Sequence, residues 1–349
     1  MTIFYQEEQL VKKLAALLLV LGIVFTLAAC GGGGTGGGDT ASGKTVIYWI
    51  GKVQGGTYWS GVEAGLFAAE KEFDLEIRQF GIERETDVEK QVNLLMDAVT
   101  AAPAAIMIAP CDSFALTTPV QEAYATGIPI ILVDTKINDT EGFSAAILTN
   151  NFEAGRTCAR LMAEFLKKEG KTKGYIGVDV ASIGSQTVLD RIDGFKDYWA
   201  KDAGLPDVEV LWDELKIDDG DQTKTLSNTK DLMTAYGDEL IGFWGANGSS
   251  VACGLAMKET GNTEIVVIGM DFNIDSYNHV RDGWMRGSCA QNTFRMGYEG
   301  TQLALQAIDG KTWEGAAKFV DSGLIPITLD NIDSAEVQDL LERINSANK

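Results

Sequence analysis

Ile130-Ile131-Leu132-Val133-Asp134 decides the fold: four large apolar residues without alternation, closed by an acid. A strand with one wet face alternates apolar and polar residues. An unbroken run needs cover on both faces, as in the middle of a parallel sheet layered by helices. Ala105-Ile106-Met107-Ile108 reads the same way, and residues 117–126 between the two runs carry helical spacing. Working outward, strands over 46–50, 75–80, 104–109 and 128–134 alternate with helices over 58–73, 87–101 (capped by Asp87) and 117–126.

The pattern restarts at 143–149. Helices over 152–168, 186–199, 223–236 and 249–259 then alternate with strands over 174–180, 208–211, 240–244 and 265–270. Two consecutive β-α-β series predict an α/β chain of two doubly wound, Rossmann-like lobes with parallel sheets. Ligands of such sheets bind beyond the carboxyl ends of the strands.

Those ends carry polar and aromatic groups. The first strand is followed by Gly55-Gly56-Thr57-Tyr58-Trp59, and the fourth ends Val133-Asp134-Thr135-Lys136. In the second series the ends are Trp244-Gly245-Ala246-Asn247 and Ile268-Gly269-Met270-Asp271, with Gln291 closing a later run. A sugar offers weakly apolar C–H faces and a rim of hydroxyls. Tyr58 and Trp59 supply stacking surfaces, Asp accepts two hydrogen bonds, and Asn and Gln each combine donor and acceptor. Singly, each is as well explained by core packing, a helix cap or a turn. The recurrence at five strand ends favours a binding site.

Composition narrows the partners. With 349 residues the chain has room for two domains. The formal net charge of -21, uninterrupted by a run of Lys or Arg, argues against nucleic acid as partner. None of the five cysteines forms a C-x-x-C pair. Cys111, Cys158, Cys253 and Cys289 read as buried thiols, with disulfides as the alternative in an oxidising compartment.

The N-terminus reads as a targeting device. Lys12 and Lys13 precede an uncharged apolar stretch over 14–29, shorter than the about 20 residues of a membrane span but suited to a signal peptide. Its end, Leu27-Ala28-Ala29-Cys30, resembles the bacterial lipobox, which implies cleavage after residue 29 and a diacylglycerol on Cys30. Residues 30–43, mostly glycine, form a tether. Gly38-Asp39-Thr40-Ala41-Ser42-Gly43-Lys44-Thr45 matches the phosphate-loop pattern letter for letter. A working phosphate loop follows a strand and opens a helix, whereas here a linker precedes and a strand follows, so no nucleotide site is read.

Several segments together resemble the type I periplasmic sugar-binding proteins, the family of the ribose-binding and glucose/galactose-binding proteins. They are Thr57-Tyr58-Trp59-Ser60-Gly61-Val62-Glu63-Ala64-Gly65, Pro129 to Asp134, Arg191-Ile192-Asp193-Gly194-Phe195, Ala246-Asn247, Val267-Ile268-Gly269-Met270-Asp271, and Ala290-Gln291 with Gly297 and Gly300. The resemblance spans residues 45–330 and implies a cleft lined by Tyr58, Trp59, Asp134, Asn247, Asp271 and Gln291, with Thr135, Lys136 and Arg191 as further candidates. It implies three crossings, an N-terminal lobe of 44–148 plus 292–320, and a C-terminal lobe of 149–291 plus 321–349 that includes the last helix. It further implies a lipid-anchored extracytoplasmic monomer, without cofactor or metal, that hands a sugar to the membrane permease of an ABC importer. Ribose-binding members have arginines where this chain has Thr135 and Leu189, and an aromatic where it has Gly220, which points away from ribose itself.

Other readings find less support. An enzyme built on a histidine relay has only His279 to use, in a predicted helix, and no nucleophile-elbow or zinc-protease motif occurs. Asp218-Asp219-Gly220-Asp221 lacks the twelve-residue calcium-loop pattern and reads as an acidic turn and cap. A regulator's sensory domain would follow a helix-turn-helix, not a signal segment. A nucleoside, a cyclic polyol or a furanosyl signal molecule stays open as ligand of the same fold.

Overall fold

The computed structural model describes residues 43–346, so the apolar stretch and Cys30 lie outside the described residues. The chain runs β1 Val46–Gly51, α1 Thr57–Phe73, β2 Glu76–Gly81, α2 Val88–Ala101, β3 Ala105–Ile108, α3 Thr117–Ala125, β4 Ile130–Val133 and β5 Ala145–Leu148. It continues through α4 Asn151–Lys168, β6 Lys173–Val180, α5 Gln186–Lys201, β7 Asp207–Val210, β8 Lys216–Ile217, α6 Gln222–Tyr236, β9 Leu240–Gly245, α7 Val251–Thr260, β10 Val266–Met270 and α8 Ile274–Arg281. It closes with β11 Gly287–Gln291, α9 Thr293–Ile308, β12 Phe319–Asp321, β13 Leu324–Thr328 and α10 Ala335–Ser346.

The strands form two sheets. The first has the order β12-β5-β4-β3-β1-β2, all parallel; the second has β13-β11-β10-β9-β6-β7, with β8 beside β6. Both faces are covered, as the apolar runs required. On β1, Ile47 and Trp49 pack with Val62 and Leu66 of α1 and Met296 of α9, while Val46, Tyr48 and Ile50 pack with Leu95 of α2 and Val120 of α3. In the second sheet Val178 and Ile268 meet α4 and α5, whereas Phe243 and Val267 meet α6, α7 and α10. Each fully buried Ile or Leu contributes about 1.5–3 kcal/mol of transfer free energy.

Backbone-close helix pairs brace each lobe. A Cβ on Gly155 of α4 would collide with the carbonyl of Arg191, and one on Gly194 of α5 with that of Phe152. Gly65 and Gly297 let α1 and α9 meet in the same way. The first pair also fixes where Arg191 leaves its helix.

The chain passes between the sheets three times: from β5 to α4, from β11 to α9, and from β12 to β13. The first and third passages are tied by Thr149 Oγ1 and Ser322 Oγ, 2.9 Å apart, and by the Ser322 amide donating to Leu148 O at 3.0 Å.

Three expectations change. The second sheet is not wholly parallel, because β13 turns back after the third passage and pairs antiparallel with β11. Asp87 stands at the N-cap of α2, but its carboxylate pairs with Arg84 and Lys90 and caps no amide. Helix α10 packs Val337, Leu340, Leu341 and Ile344 into the second lobe's core, yet it also reaches the first, since Ser60 Oγ of α1 donates to Ile344 O at 3.3 Å. The four cysteines are free and buried. Among the described residues no helix is long and apolar enough to cross a membrane.

Candidate functional site

A cavity of about 230 Å³ lies where the carboxyl ends of the two sheets face each other. Tyr58, Trp59, Asp134, Asn247, Asp271, Gln291 and Arg191 all line it. The volume falls below the roughly 300–1,000 Å³ typical of drug-sized sites.

The first lobe supplies a buried polar cluster. Asp134 leaves β4 with φ 64°, turning its carboxylate off the strand line into the cavity wall. Tyr58 donates to its Oδ1 at 2.5 Å, and Lys52 pairs with its Oδ2 at 3.0 Å. Burial opposes ionisation of Asp134, but Lys52 and the Tyr58 hydroxyl outweigh it and hold the carboxyl below the usual range. Burial, with Asp134 and Asp271 nearby, raises Tyr58 well above the ordinary phenol. Trp59 is only 6% exposed and packs against Trp49, so it offers the cavity an edge of the core more than a free stacking plate.

The second lobe answers with Asp271, at φ 68° beyond β10, whose Oδ1 accepts from Gln291 Nε2 at 2.6 Å. Burial raises its carboxyl, offset in part by Arg191 and the Gln291 bond. Arg191, 3% exposed, donates to Asn151 Oδ1 at 2.8 Å and Ala246 O at 2.9 Å, with no ion pair among the described residues. Asn247 donates from Nδ2 to Ser249 Oγ at 2.7 Å. The amide nitrogens of Asn247 and Gln291 are thus engaged by protein, while their carbonyl oxygens are buried and unpartnered, as is Ser185 Oγ on the same wall.

Thr135 and Lys136 are placed elsewhere. Thr135 is fully buried behind Asp134, donating to its Oδ2 at 2.8 Å and meeting Thr187 Oγ1 of the other lobe at 2.9 Å. Lys136 points to an outer groove and pairs with Asp190 at 3.0 Å. Sequence reasoning missed Lys52 and Glu85, which line the cavity; Glu85 is raised by burial, offset by Lys52. It also missed the contacts between lobes at Thr187 and at Ser113, whose amide donates to Gly184 O at 3.2 Å. His279 sits on α8 beside Gly254 and does not line the cavity.

Two doubly wound lobes with a small polar cavity between their strand ends define a two-lobed solute-binding protein. The chain belongs to the periplasmic binding protein domain family, whose model matches residues 47–312. Members of that family are extracytoplasmic. The ribose import binding protein RbsB of Bacillus subtilis is 25% identical over 231 residues, 66% of this chain and 71% of the relative. The D-ribose/D-allose-binding protein of Pseudomonas aeruginosa is 26% identical over 314 residues, 87% and 94% of the two chains. A carbohydrate transporter solute-binding protein from Agrobacterium radiobacter, solved with D-arabinose, superposes with a TM-score of 0.79 at 29% identity, covering 87% of this chain and 100% of that one. These relatives are binding components of transport systems, not enzymes.

Proposed function

We propose that this chain captures a monosaccharide between its lobes, residues 44–148 plus 292–320 and 149–291 plus 321–349, and delivers it as a monomer to the permease of an ABC importer. The observation that carries the reading is the pair of buried, unpartnered carbonyls of Asn247 and Gln291 beside the carboxylates of Asp134 and Asp271. A buried acceptor left without a donor costs about 1–3 kcal/mol, and a ligand rich in hydroxyls removes that cost at each one. Arg191 and Lys52 offer the complementary donors. The relatives named for binding ribose and allose, and the one solved with D-arabinose, support the same class.

Ribose itself fits less well. A side chain at Gly220 would meet nothing within 4 Å, so the wall is open where an aromatic would otherwise close it. Thermal unfolding against pentoses, hexoses, polyols and nucleosides tests the assignment: a ligand at 100 times its Kd adds about 2.7 kcal/mol. A response to nucleosides alone would displace the sugar reading.

Residues 1–29 serve in this reading as a signal peptide, Cys30 carries the lipid, and 30–43 tether the body to the membrane. Cys30→Ser then abolishes metabolic labelling with fatty acid; unchanged labelling would remove the anchor from the account.

A further inference from the structure

Behind the cavity lies a group that binding of a sugar does not by itself require. Asp179, within β6, and Asp218, just after β8, are both fully buried. Three donors converge on Asp218: the Gly220 amide on Oδ1 at 2.6 Å, Thr225 Oγ1 on Oδ2 at 2.9 Å, and the Ser249 hydroxyl on Oδ2. Asp179 receives one, from Asn228 Nδ2 to Oδ2 at 2.8 Å, and its buried Oδ1 has no donor. The pairing of β8 with β6 brings the two acids near each other, the Asp218 amide donating to Val180 O, one residue on from Asp179, at 2.9 Å. Two ionised carboxylates this near in a dry interior repel, and a single proton held between them removes both the repulsion and the orphan oxygen.

We propose that Asp179 and Asp218 share one proton, carried by Asp179, and that this acid pair acts through Ser249 to hold the carbonyl of Asn247 toward the ligand. With its acceptor side filled by protein donors, Asp218 takes the Ser249 hydrogen. Ser249 Oγ then has only lone pairs left for Asn247, so the amide presents Nδ2 to Ser249 and Oδ1 to the cavity. The positioning chain therefore selects a ligand that donates at this point, an O–H, over one that accepts. The inference rests on the reading of Asn247 as a ligand-facing group.

The surroundings agree. Burial, and next the hydrogen bond and charge of Asp218, push the Asp179 carboxyl up to about 9. Lys224 of α6 acts against this, but its Nζ pairs with Asp219 at 2.6 Å. From α7 the group facing Asp179 is the Cys253 thiol, itself raised by burial, and from β8 its register partner is Lys216.

The test starts without ligand. The infrared spectrum at neutral pH should show the carbonyl stretch of a protonated carboxylic acid that disappears in Asp179→Asn and, in the wild type, above about pH 9. In the same titration the NMR signal of the Asn247 side-chain amide should shift in the wild type and stay still in Asp179→Asn. With D-arabinose as probe, wild-type affinity should fall roughly tenfold between neutral pH and pH 10, and Asp179→Asn should show no such change over that range. Absence of the acid band, or an Asn247 signal indifferent to the titration, would overturn the proposal. If the band and shift behave as stated and no sugar binds at any pH, the acid pair stands and the sugar reading falls.

Discussion

Asp134 and Asp271 are equivalents in opposite lobes. Each follows a central strand in the left-handed region, at φ 64° and 68°, and each amide donates across to the neighbouring strand at 2.9 Å, to Ile147 O and Cys289 O. A left-handed L-residue costs roughly 1–2 kcal/mol, and strain of this kind persists where surrounding structure enforces it. The shared turn aims both carboxylates at one cavity.

The two aspartates should respond differently to removal. Asp271→Ala takes away an acceptor with no ion-pair partner among the described residues, so affinity for the sugar should drop by about 1.5–3 kcal/mol with stability little changed. Asp134→Ala strands the buried Lys52 cation and should also destabilise the fold by about 3–5 kcal/mol. Asp271→Gly should lose the same affinity as the alanine variant while folding more stably than it. Calorimetry paired with denaturant unfolding separates the effects.

Binding should weaken on the acid side through Asp271 first. Its carboxyl is raised by burial, whereas Lys52 and Tyr58 hold Asp134 low against burial, so acidification protonates Asp271 while Asp134 is still ionised. Affinity should therefore fall at a pH above the ordinary carboxylate range. In Asp271→Asn that acid limb should vanish; its persistence would assign it to another group.

Stability should carry the opposite sign at Asp179. A carboxyl raised to about 9 in the folded state favours folding fully below its unfolded value, and that contribution is lost as pH rises through 9. The slope is at most about 1.4 kcal/mol per pH unit. Asp179→Asn should accordingly gain on the wild type as pH rises from 5 to 9, read as the difference in denaturation midpoints.

Contacts between the lobes should set the lifetime of the complex. Ser113 accepts from the Gln186 amide at 3.0 Å on Oγ, beside its own amide bond to Gly184. Ser113→Ala removes the first bond and leaves a helix-end donor unmet, which should weaken binding about fivefold, mainly as faster release. An unchanged release rate would detach this contact from closure.

Of Trp59 and Trp244, only Trp59 lines the cavity. Trp244 is fully buried and stacked on Phe195 at 4.4 Å between centroids. Ligand-induced fluorescence change should survive Trp244→Phe and be lost in Trp59→Phe.

Much of this was legible because hydrophobic runs and their polar ends are local features. The run ending at Val133 announces both a buried strand and the residue that leaves it. Lys52 and Glu85 were not legible, since a charge in a loop reads as solvated until a second lobe covers it. Thr135 and Lys136 share a loop with Asp134, but their side chains diverge, one to the partner lobe and one to the outer groove. Asp179 left a weak trace, a lone acid in the otherwise apolar Tyr175-Ile176-Gly177-Val178-Asp179-Val180. The antiparallel pairing of β13 depends on the third passage, a long-range relation without a local signature.

The central claim is that neutral monosaccharide is held from both lobes at once. Calorimetric titration of the wild type, Asp134→Ala of the first lobe and Asp271→Ala of the second with D-arabinose, D-fucose and D-ribose checks it lobe by lobe. The wild type should bind at least one sugar one-to-one, and each variant should bind it at least tenfold more weakly. Equal affinity in all three proteins, or no heat from any sugar, would contradict it.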